Sequence, residues 1–555
     1  MPTFTIDGRE LTVPDGTTVL QAALANGIDI PHFCYHPGLR ISGNCRVCLV
    51  EVEKFPKPAI ACNTVVADGM VVHTDTERVR KLREAVMEFL LVNHPLDCPI
   101  CDQAGECRLQ EYAYEHGDAT TRFREEKEHG PKRRVLGPHV LYDWERCIKC
   151  TRCIRFCQEV TRTAELGMFH RGVREEVGTF PGRPLDNPYS GCVVDLCPVG
   201  ALTLREFRFR TRVWFLTDVP SVCPGCARGC SVHLGTFRNE IQRITPRVNH
   251  AVNRWWICDE GRLWGGRLEA AGERRLAGPR SPVEGADDPW RAALDEAVRV
   301  LGEQARAGKA AVLASPRMTV EEAWLLGRLA AGPLSGAPVF LAEHVAGEDD
   351  ELLVRADKAP NARGVREVLG AVCGDVLPVA ELEERLRAGK VAALLAIGPG
   401  LLGPVDGEPP VLAPDAAGCA PHRVVLDAWS SPLAEEATVV LPVAGYGEQE
   451  GTWVSFAGRV QHVARALWAR TDCRPGIEIL GALLAGLAGR DRAPRMDEIH
   501  AGISADVPAF AEIDWAALPG GAGQDLAGAD ASAAAAPATG ALVKMLAVGW
   551  TPADE

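Results

Sequence analysis

The stretch VNHPLDCPICDQAGEC, residues 92–107, sets Cys98, Cys101 and Cys107 at spacings of x2 and x5, with His94 four residues before the first. Three thiolates leave a four-ligand metal site one donor short. No other cysteine lies nearby in the sequence, and imidazole ligates iron in Rieske centres, so His94 is a candidate fourth ligand. The spacing alone equally allows a histidine with a packing or surface role. The preceding residues, TDTERVRKLREAVMEFLLVNH, read as a helix. Thr74 to Glu77 fits a capping box, and Val79, Leu82, Val86, Phe89 and Leu90 recur at helical spacing. Pro95 then turns the backbone out of the helix beside His94.

Three further groups of cysteines have ligand spacing. Cys34, Cys45, Cys48 and Cys62 form C-x10-C-x2-C-x13-C. Four thiolates with one tight pair suit a [2Fe–2S] centre. Structural zinc is the rival, but it usually shows two short knuckles. Cys147, Cys150, Cys153 and Cys157 form C-x2-C-x2-C-x3-C, with Cys197 and Pro198 further on. This is the bacterial ferredoxin arrangement for a [4Fe–4S] centre. A second C-x2-C-x2-C triplet is missing, so one centre is expected, on Cys147, Cys150, Cys153 and Cys197, leaving Cys157 and Cys192 packed or beside it. Cys223, Cys226, Cys230 and Cys258 form C-x2-C-x3-C-x27-C. Zinc is again a rival, and the position directly after a ferredoxin-type unit favours [4Fe–4S]. Fifteen cysteines and His94 close four centres with no ligand missing.

The elements around these groups follow from local chemistry. FTIDGRELTV reads as two short strands around an Asp7-Gly8 turn. TVLQAALANG reads as a helix ended by Gly27, and YHPGLRISGN as a glycine- and proline-broken loop. Seventeen of the twenty cysteines precede residue 260, so a cysteine-dense front joins a cysteine-poor back. The opening residues show no basic region followed by an apolar core, so no secretory leader is expected, and the cysteines are expected to bind metal rather than pair as disulfides. A net charge of −14 argues against nucleic acid as the main partner. No apolar run reaches the ~18 residues of a spanning helix.

With these motifs in view, the front 265 residues resemble the large iron–sulfur subunit of respiratory NADH:quinone oxidoreductase, complex I: the G subunit in bacteria, the 75 kDa subunit in mitochondria. The resemblance rests on CYHPGL and GNCRVCLVEVE, HPLDCPICDQAGEC, ERCIKCTRCIRFCQEV, DLCPVGALT and WWICDEGR. It implies that His94 ligates a [4Fe–4S] centre with Cys98, Cys101 and Cys107. It implies one [2Fe–2S] and three [4Fe–4S] clusters. Electrons would enter from the NADH-binding flavoprotein subunit by the Cys34 centre, continue through the Cys147 centre to the His94 centre, and leave to [4Fe–4S] subunits on the quinone side. The Cys223 centre, found in only some members, would lie off that path. The complex would hold the chain on the inner face of the cell membrane, in the cytoplasm, without insertion.

The back half is similar to the molybdopterin oxidoreductase fold, through AAVLASPRMTVEEAWLLGRLA and EEATVVLPVAGYGEQEGTWVSFAGRVQ, which also read as strand-then-helix units of an α/β domain. The fold class expected is multidomain, α+β in front and α/β behind. It comprises a [2Fe–2S] ferredoxin-like domain (1–75), a segment with one histidine and three cysteine ligands (76–116) and a [4Fe–4S] ferredoxin-like domain (117–212). A molybdopterin-oxidoreductase N-terminal-type domain (213–270), a shortened molybdopterin-type α/β domain without pterin (271–518) and a flexible tail (519–555) follow.

Three rival readings are weighed against this. A molybdenum or tungsten formate dehydrogenase needs a metal-ligating residue and a lysine between the last cluster and the pterin. Here Glu260 stands in the lysine's place, and Cys373 reads as a buried, inert thiol. A hydrogenase-linked assembly would share the front, but a catalytic hydrogenase cluster needs further paired cysteines, which Cys373, Cys419 and Cys473 do not form. A zinc-stabilised scaffold would have no redox role. Gly398, Gly400 and Gly403 spell G-x-G-x-x-G after an apolar strand, with Asp427 further on. Pro399 within the motif blocks the helix start that a dinucleotide site requires, so NADH binding is expected on a partner.

Overall fold

Asp7 and Gly8 both adopt positive φ, 47° and 79°, which a two-residue hairpin turn demands. They join β1 (Thr3–Ile6) to β2 (Arg9–Thr12). The structure, a computed structural model, describes residues 1–172, 174–283, 285–398, 400 and 410–529. These form two compact units that meet in sequence between Leu216 and Thr217.

In the first unit, α1 (Val19–Ala25) starts with a Thr18/Gln21 capping box, and Gly27 takes the left-handed conformation after it. Strands β3 (Leu49–Val52), β4 (Ala59–Ile60) and β5 (Val71–His73) complete a five-stranded sheet in the order β2-β1-β5-β3-β4. Phe4, Ile6, Leu20, Ile30, Val50 and Val72 fill its core. The helix expected next is α2 (Glu77–Leu91), but its cap is Thr76, whose hydroxyl accepts from Val79 N. Thr74 is instead captured by Asp7, donating both its N–H and its hydroxyl to that carboxylate. The buried face of α2 is Val79, Arg83 and Met87, whereas Phe89 is exposed.

After α3 (Arg108–His116) come β6 (Arg134–Val135), β7 (Val140–Tyr142), α4 (Arg152–Glu159), β8 (Leu166–Phe169), β9 (Glu176–Thr179), α5 (Cys192–Leu196) and β10 (Leu202–Leu204). Their sheets are small: β10-β7-β6 and the hairpin β8-β9.

The second unit opens with an antiparallel sheet of β11 (Thr217–Val222), β12 (Ser231–Phe237) and β13 (Glu240–Pro246), followed by α6 (Asp259–Arg262) and α7 (Trp264–Ala270). Then α8 (Pro289–Arg306), β14 (Ala310–Ala314), α9 (Val320–Ala331), β15 (Val339–Leu341), α10 (Ala362–Cys373), β16 (Val376–Pro378), α11 (Val379–Arg387), β17 (Ala393–Ile397), β18 (His422–Asp427) and β19 (Val439–Pro442) build a parallel sheet. Its order, β16-β15-β14-β17-β18-β19, is doubly wound. Every residue of β14 and β17 is buried, as strands covered on both faces require.

The β14–α9 pair is the expected strand-then-helix unit. The segment after β19 is not: it forms the antiparallel strands β20 (Gly451–Val454) and β21 (Arg459–Val463). Thr452 and Trp453 favour a strand over a helix, and Gly458 turns the chain with φ 93°. Residues 519–529, expected within the tail, join this sheet: β22 (Gln524–Asp525) pairs with β21. The remainder of that stretch, from 530, lies outside the described residues, as do Pro399 and Gly403.

Candidate metal centres

Loops that leave ordinary backbone geometry bring the cysteines of each group together. Around the first group, Gly43 and Arg46 take φ of 62° and 60°, and a single 3-10 turn, Ala61–Asn63, carries Cys62 inward. Cys34, Cys48 and Cys62 are buried and Cys45 half-buried. Their thiols are in hydrogen-bond contact, Cys34 with Cys45 and Cys62, and Cys62 with Cys48. These contacts push Cys34 and Cys48 below the usual thiol range and Cys45 and Cys62 above it.

In the third group, Lys149 and Thr151 take left-handed φ of 55° and 63°, so the loop from Cys147 curls before entering α4. Lys149 N–H donates to Cys147 Sγ at 3.4 Å. Cys197 arrives directly after α5. Cys157 and Cys192 are fully buried, and burial pushes the Cys157 thiol up.

For the opening group, α2 ends at Leu91 and His94 N–H still donates to Leu91 O at 3.2 Å. Lys127 Nζ fastens this exit by donating to Leu91 O at 2.8 Å and Val92 O at 2.7 Å. Desolvation, then Arg146 and Lys127, lower the His94 imidazole to about 4, so the ring is neutral at ordinary pH, the form that ligates metal. Asp97 takes Arg146 and Lys132 as ion-pair partners. Cys101 and Cys107 are buried and Cys98 is exposed. Leu96 and Ile100 beside it are also exposed.

The second unit holds three members of the fourth group on one hairpin. Val222 pairs with Ser231, so Cys223, Cys226 and Cys230 all lie in the loop between β11 and β12, closed by Cys223 N–H donating to Cys230 O at 2.8 Å. Cys258 caps α6, its sulfur accepting from Gly261 N–H at 3.4 Å. Gly261 is required there, since a Cβ would stand 2.6 Å from Cys223 Sγ.

The donor sets fit iron–sulfur centres. All twenty cysteines are free. Burial raises the thiols of Cys107 and Cys147 to about 11 and those of Cys197 and Cys258 to about 12. Cys153, Cys223 and Cys230 lie well above the usual range for the same reason. Thiolates this buried need an electropositive occupant, and backbone N–H groups aimed at the sulfurs complete the setting. Among the described residues, no three His, Cys, Asp or Glu side chains converge on a single metal ion.

Two further sequence expectations concern the second unit. A Cβ on Gly398 would stand 1.9 Å from Asp427 Oδ2, and one on Gly400 2.5 Å from Oδ1. Asp427 is fully buried; burial raises it to about 7, and it accepts from Ala428 N–H and Ser431 Oγ. These glycines serve close packing on a buried carboxyl. Sequence reasoning missed Lys358, which donates to Glu260 Oε2 at 3.1 Å. A lysine therefore does reach the edge of the Cys223 group, from a segment about a hundred residues away. Both residues line a cavity of about 530 Å³ with Gly225, Arg317 and His344. Cys373 is half-buried, its thiol raised to about 11 by burial.

Each cysteine group falls within the span of one matched family domain. Residues 1–77 match the 2Fe-2S iron-sulfur cluster binding domain, 83–122 the NADH-ubiquinone oxidoreductase-G iron-sulfur binding region and 137–203 the ferredoxin-like domain of NADH-quinone oxidoreductase subunit 3. Residues 216–269 match the molybdopterin oxidoreductase Fe4S4 domain and 421–485 molybdopterin oxidoreductase. The G subunit of NADH-quinone oxidoreductase from Rickettsia bellii is 48% identical over 260 residues, 47% of this chain and 38% of that protein. The front of this chain is thus similar in sequence to the G subunit of NADH-quinone oxidoreductase.

The corresponding G subunit of Streptomyces coelicolor extends the likeness to 63% of this chain and 43% of its own length, at 40% identity. The mitochondrial NADH dehydrogenase [ubiquinone] iron-sulfur protein 1 of Solanum tuberosum is 45% identical over 52% of this chain and 39% of its own. The chain thus spans less than half the length of these relatives. A solved chain of an NAD+-reducing [NiFe]-hydrogenase overlaps 38% of this chain and 91% of its own at 30% identity, with a TM-score of 0.34, too low to bear on the fold. Iron–sulfur binding domains of the 2Fe-2S and 4Fe-4S kinds are present in the chain. Among the described residues no helix is long and apolar enough to cross a membrane.

Proposed function

We propose that this chain is an electron-transfer subunit of NADH:quinone oxidoreductase, holding one [2Fe–2S] and three [4Fe–4S] clusters. When bound, such clusters take up and release one electron at a time. Cys34, Cys45, Cys48 and Cys62 hold the first. Cys147, Cys150, Cys153 and Cys197 hold the second, and His94, Cys98, Cys101 and Cys107 the third. Cys223, Cys226, Cys230 and Cys258 hold the fourth, in the other unit.

The observation that carries the reading is a continuous set of contacts running through the first three groups in that order. Arg155 donates to the carbonyls of Cys34 and Cys150. Pro198, directly after Cys197, accepts from Arg108 N–H at 3.2 Å and lies 3.9 Å from Cys107 Sγ. Burial keeps water from most of these cysteines, and neutral His94 supplies a nitrogen donor. Exposed Cys98, with Leu96 and Ile100, offers an edge where a quinone-side iron–sulfur partner would dock; a flavoprotein partner would serve the Cys34 end. Through that complex the chain would sit at the inner face of the membrane.

Anaerobically prepared protein should contain about 14 irons and a matching amount of acid-labile sulfide. It should co-purify with a flavoprotein and further iron–sulfur subunits. Protein without labile sulfide, or with stoichiometric zinc, overturns the proposal.

A further inference from the structure

Two arginines on one helix stand between the Cys34 and Cys147 groups. Both are at the start of α4, and both are 9% exposed. Arg155 Nη2 donates to Cys34 O at 2.5 Å and also reaches Cys150 O at 3.4 Å, while its Nη1 donates to Arg40 O. Arg152 Nη1 donates to Leu196 O at 3.3 Å, one residue before Cys197, and its Nη2 donates to Tyr35 O, one residue after Cys34. Each guanidinium thus ties backbone at or beside a ligand of one group to backbone at or beside a ligand of the other.

Neither arginine makes an ion pair among the described residues. Glu159, on the same helix, is engaged by Arg40 through its backbone N–H at 2.8 Å and its guanidinium at 3.7 Å. A guanidinium keeps its charge in proteins, and a buried one without a counter-charge is strongly penalised.

We propose that Arg152 and Arg155 are positioning residues that form one fixed cationic bridge, the shared counter-charge of the Cys34 and Cys147 centres. The bridge raises both reduction potentials together and holds the two ligand loops in register. It rests on the cluster assignment above. In the step it would serve, one centre would lose one electron and the other gain it, with no bond formed and no proton moved. Because the cation touches both loops, it would favour the reduced form on either side, so the difference between the two potentials is little changed while both move relative to the other centres. A planar fork with several donors reaches carbonyls of both loops at once, whereas a lysine in its place keeps the charge with fewer of those ties.

The test is a potentiometric EPR titration of the full chain, comparing wild type with Arg152→Gln, Arg155→Gln, Arg152→Lys and Arg155→Lys. Each Gln variant should lower the midpoints of both the Cys34 and Cys147 centres. The oxidised-to-reduced ratio at fixed poise should change about tenfold, roughly 59 mV for one electron. The Cys223 signal should stay in place, and the Lys variants should keep both midpoints within about threefold of wild type by the same scale. Unchanged midpoints in the Gln variants, or movement of one centre alone, overturn the proposal. If a Gln variant loses its signals, the matching Lys variant decides. Wild-type signals and midpoints support the shared charge, and their loss or displacement overturns it. Absence of all cluster signals from the wild type would instead defeat the cluster assignment itself.

Discussion

Gly200 presses on Cys101: a Cβ at Gly200 would stand 2.1 Å from the Cys101 sulfur. The turn that follows Cys197 therefore forms one wall of the neighbouring ligand group. Gly200→Ala should displace Cys101 and weaken or abolish the EPR signal of the His94 centre, with loss of about four irons. The [2Fe–2S] signal should persist. An Ala variant with a full set of signals would show that the two groups are not in contact.

Replacing His94 tests the nitrogen donor directly. His94→Ala should alter one [4Fe–4S] signal and leave the [2Fe–2S] signal intact. His94→Cys should restore a four-ligand site at lower potential, since thiolate in place of imidazole adds negative charge. If every signal survives His94→Ala unchanged, the histidine is not a ligand.

Glu322 provides a pH-dependent stability test. It is buried in the α9 capping box, accepting from Thr319 N–H at 2.7 Å, and burial raises its carboxyl to about 7 from 4.5. The native state then holds a proton that the unfolded chain releases, so this group's contribution to stability falls as pH rises from 4.5 to 7. Glu322→Gln removes the penalty. Calorimetry of the full chain should show the variant's advantage growing from about zero near pH 4 to roughly 2–3 kcal/mol above pH 7.5. A difference that does not vary with pH would refute the assignment.

Close packing on Asp427 predicts that Gly398→Ala destabilises the second unit by about 1–3 kcal/mol, because backbone or carboxyl must shift. Urea unfolding followed by tryptophan fluorescence would report it. The cluster signals of the first unit should be unaffected.

The cysteine groups were legible as groups because their pattern is local: thiols two or three residues apart, on loops broken by glycine or proline, have few other uses in a chain without disulfides. The Asp7-Gly8 hairpin and the β14–α9 unit were legible for the same reason. What sequence reading missed depends on distant partners. Thr74 looked like a cap until Asp7 claimed it. The α2 face of Val79, Arg83 and Met87 is chosen by the sheet below, not by hydropathy. Lys358 meets Glu260, and Arg155 meets Cys34, across about a hundred residues of chain. Spacing carries no trace of such meetings.

Among the ligands proposed for the first unit, Cys98 alone is exposed. A sulfur open to solvent is open to dioxygen as well. With a cluster on these ligands, an electron would have its shortest route to a molecule outside at that same corner. The place best suited for handing charge onward is therefore the place where air attacks first, and a partner seated over it would act as a shield as much as an acceptor.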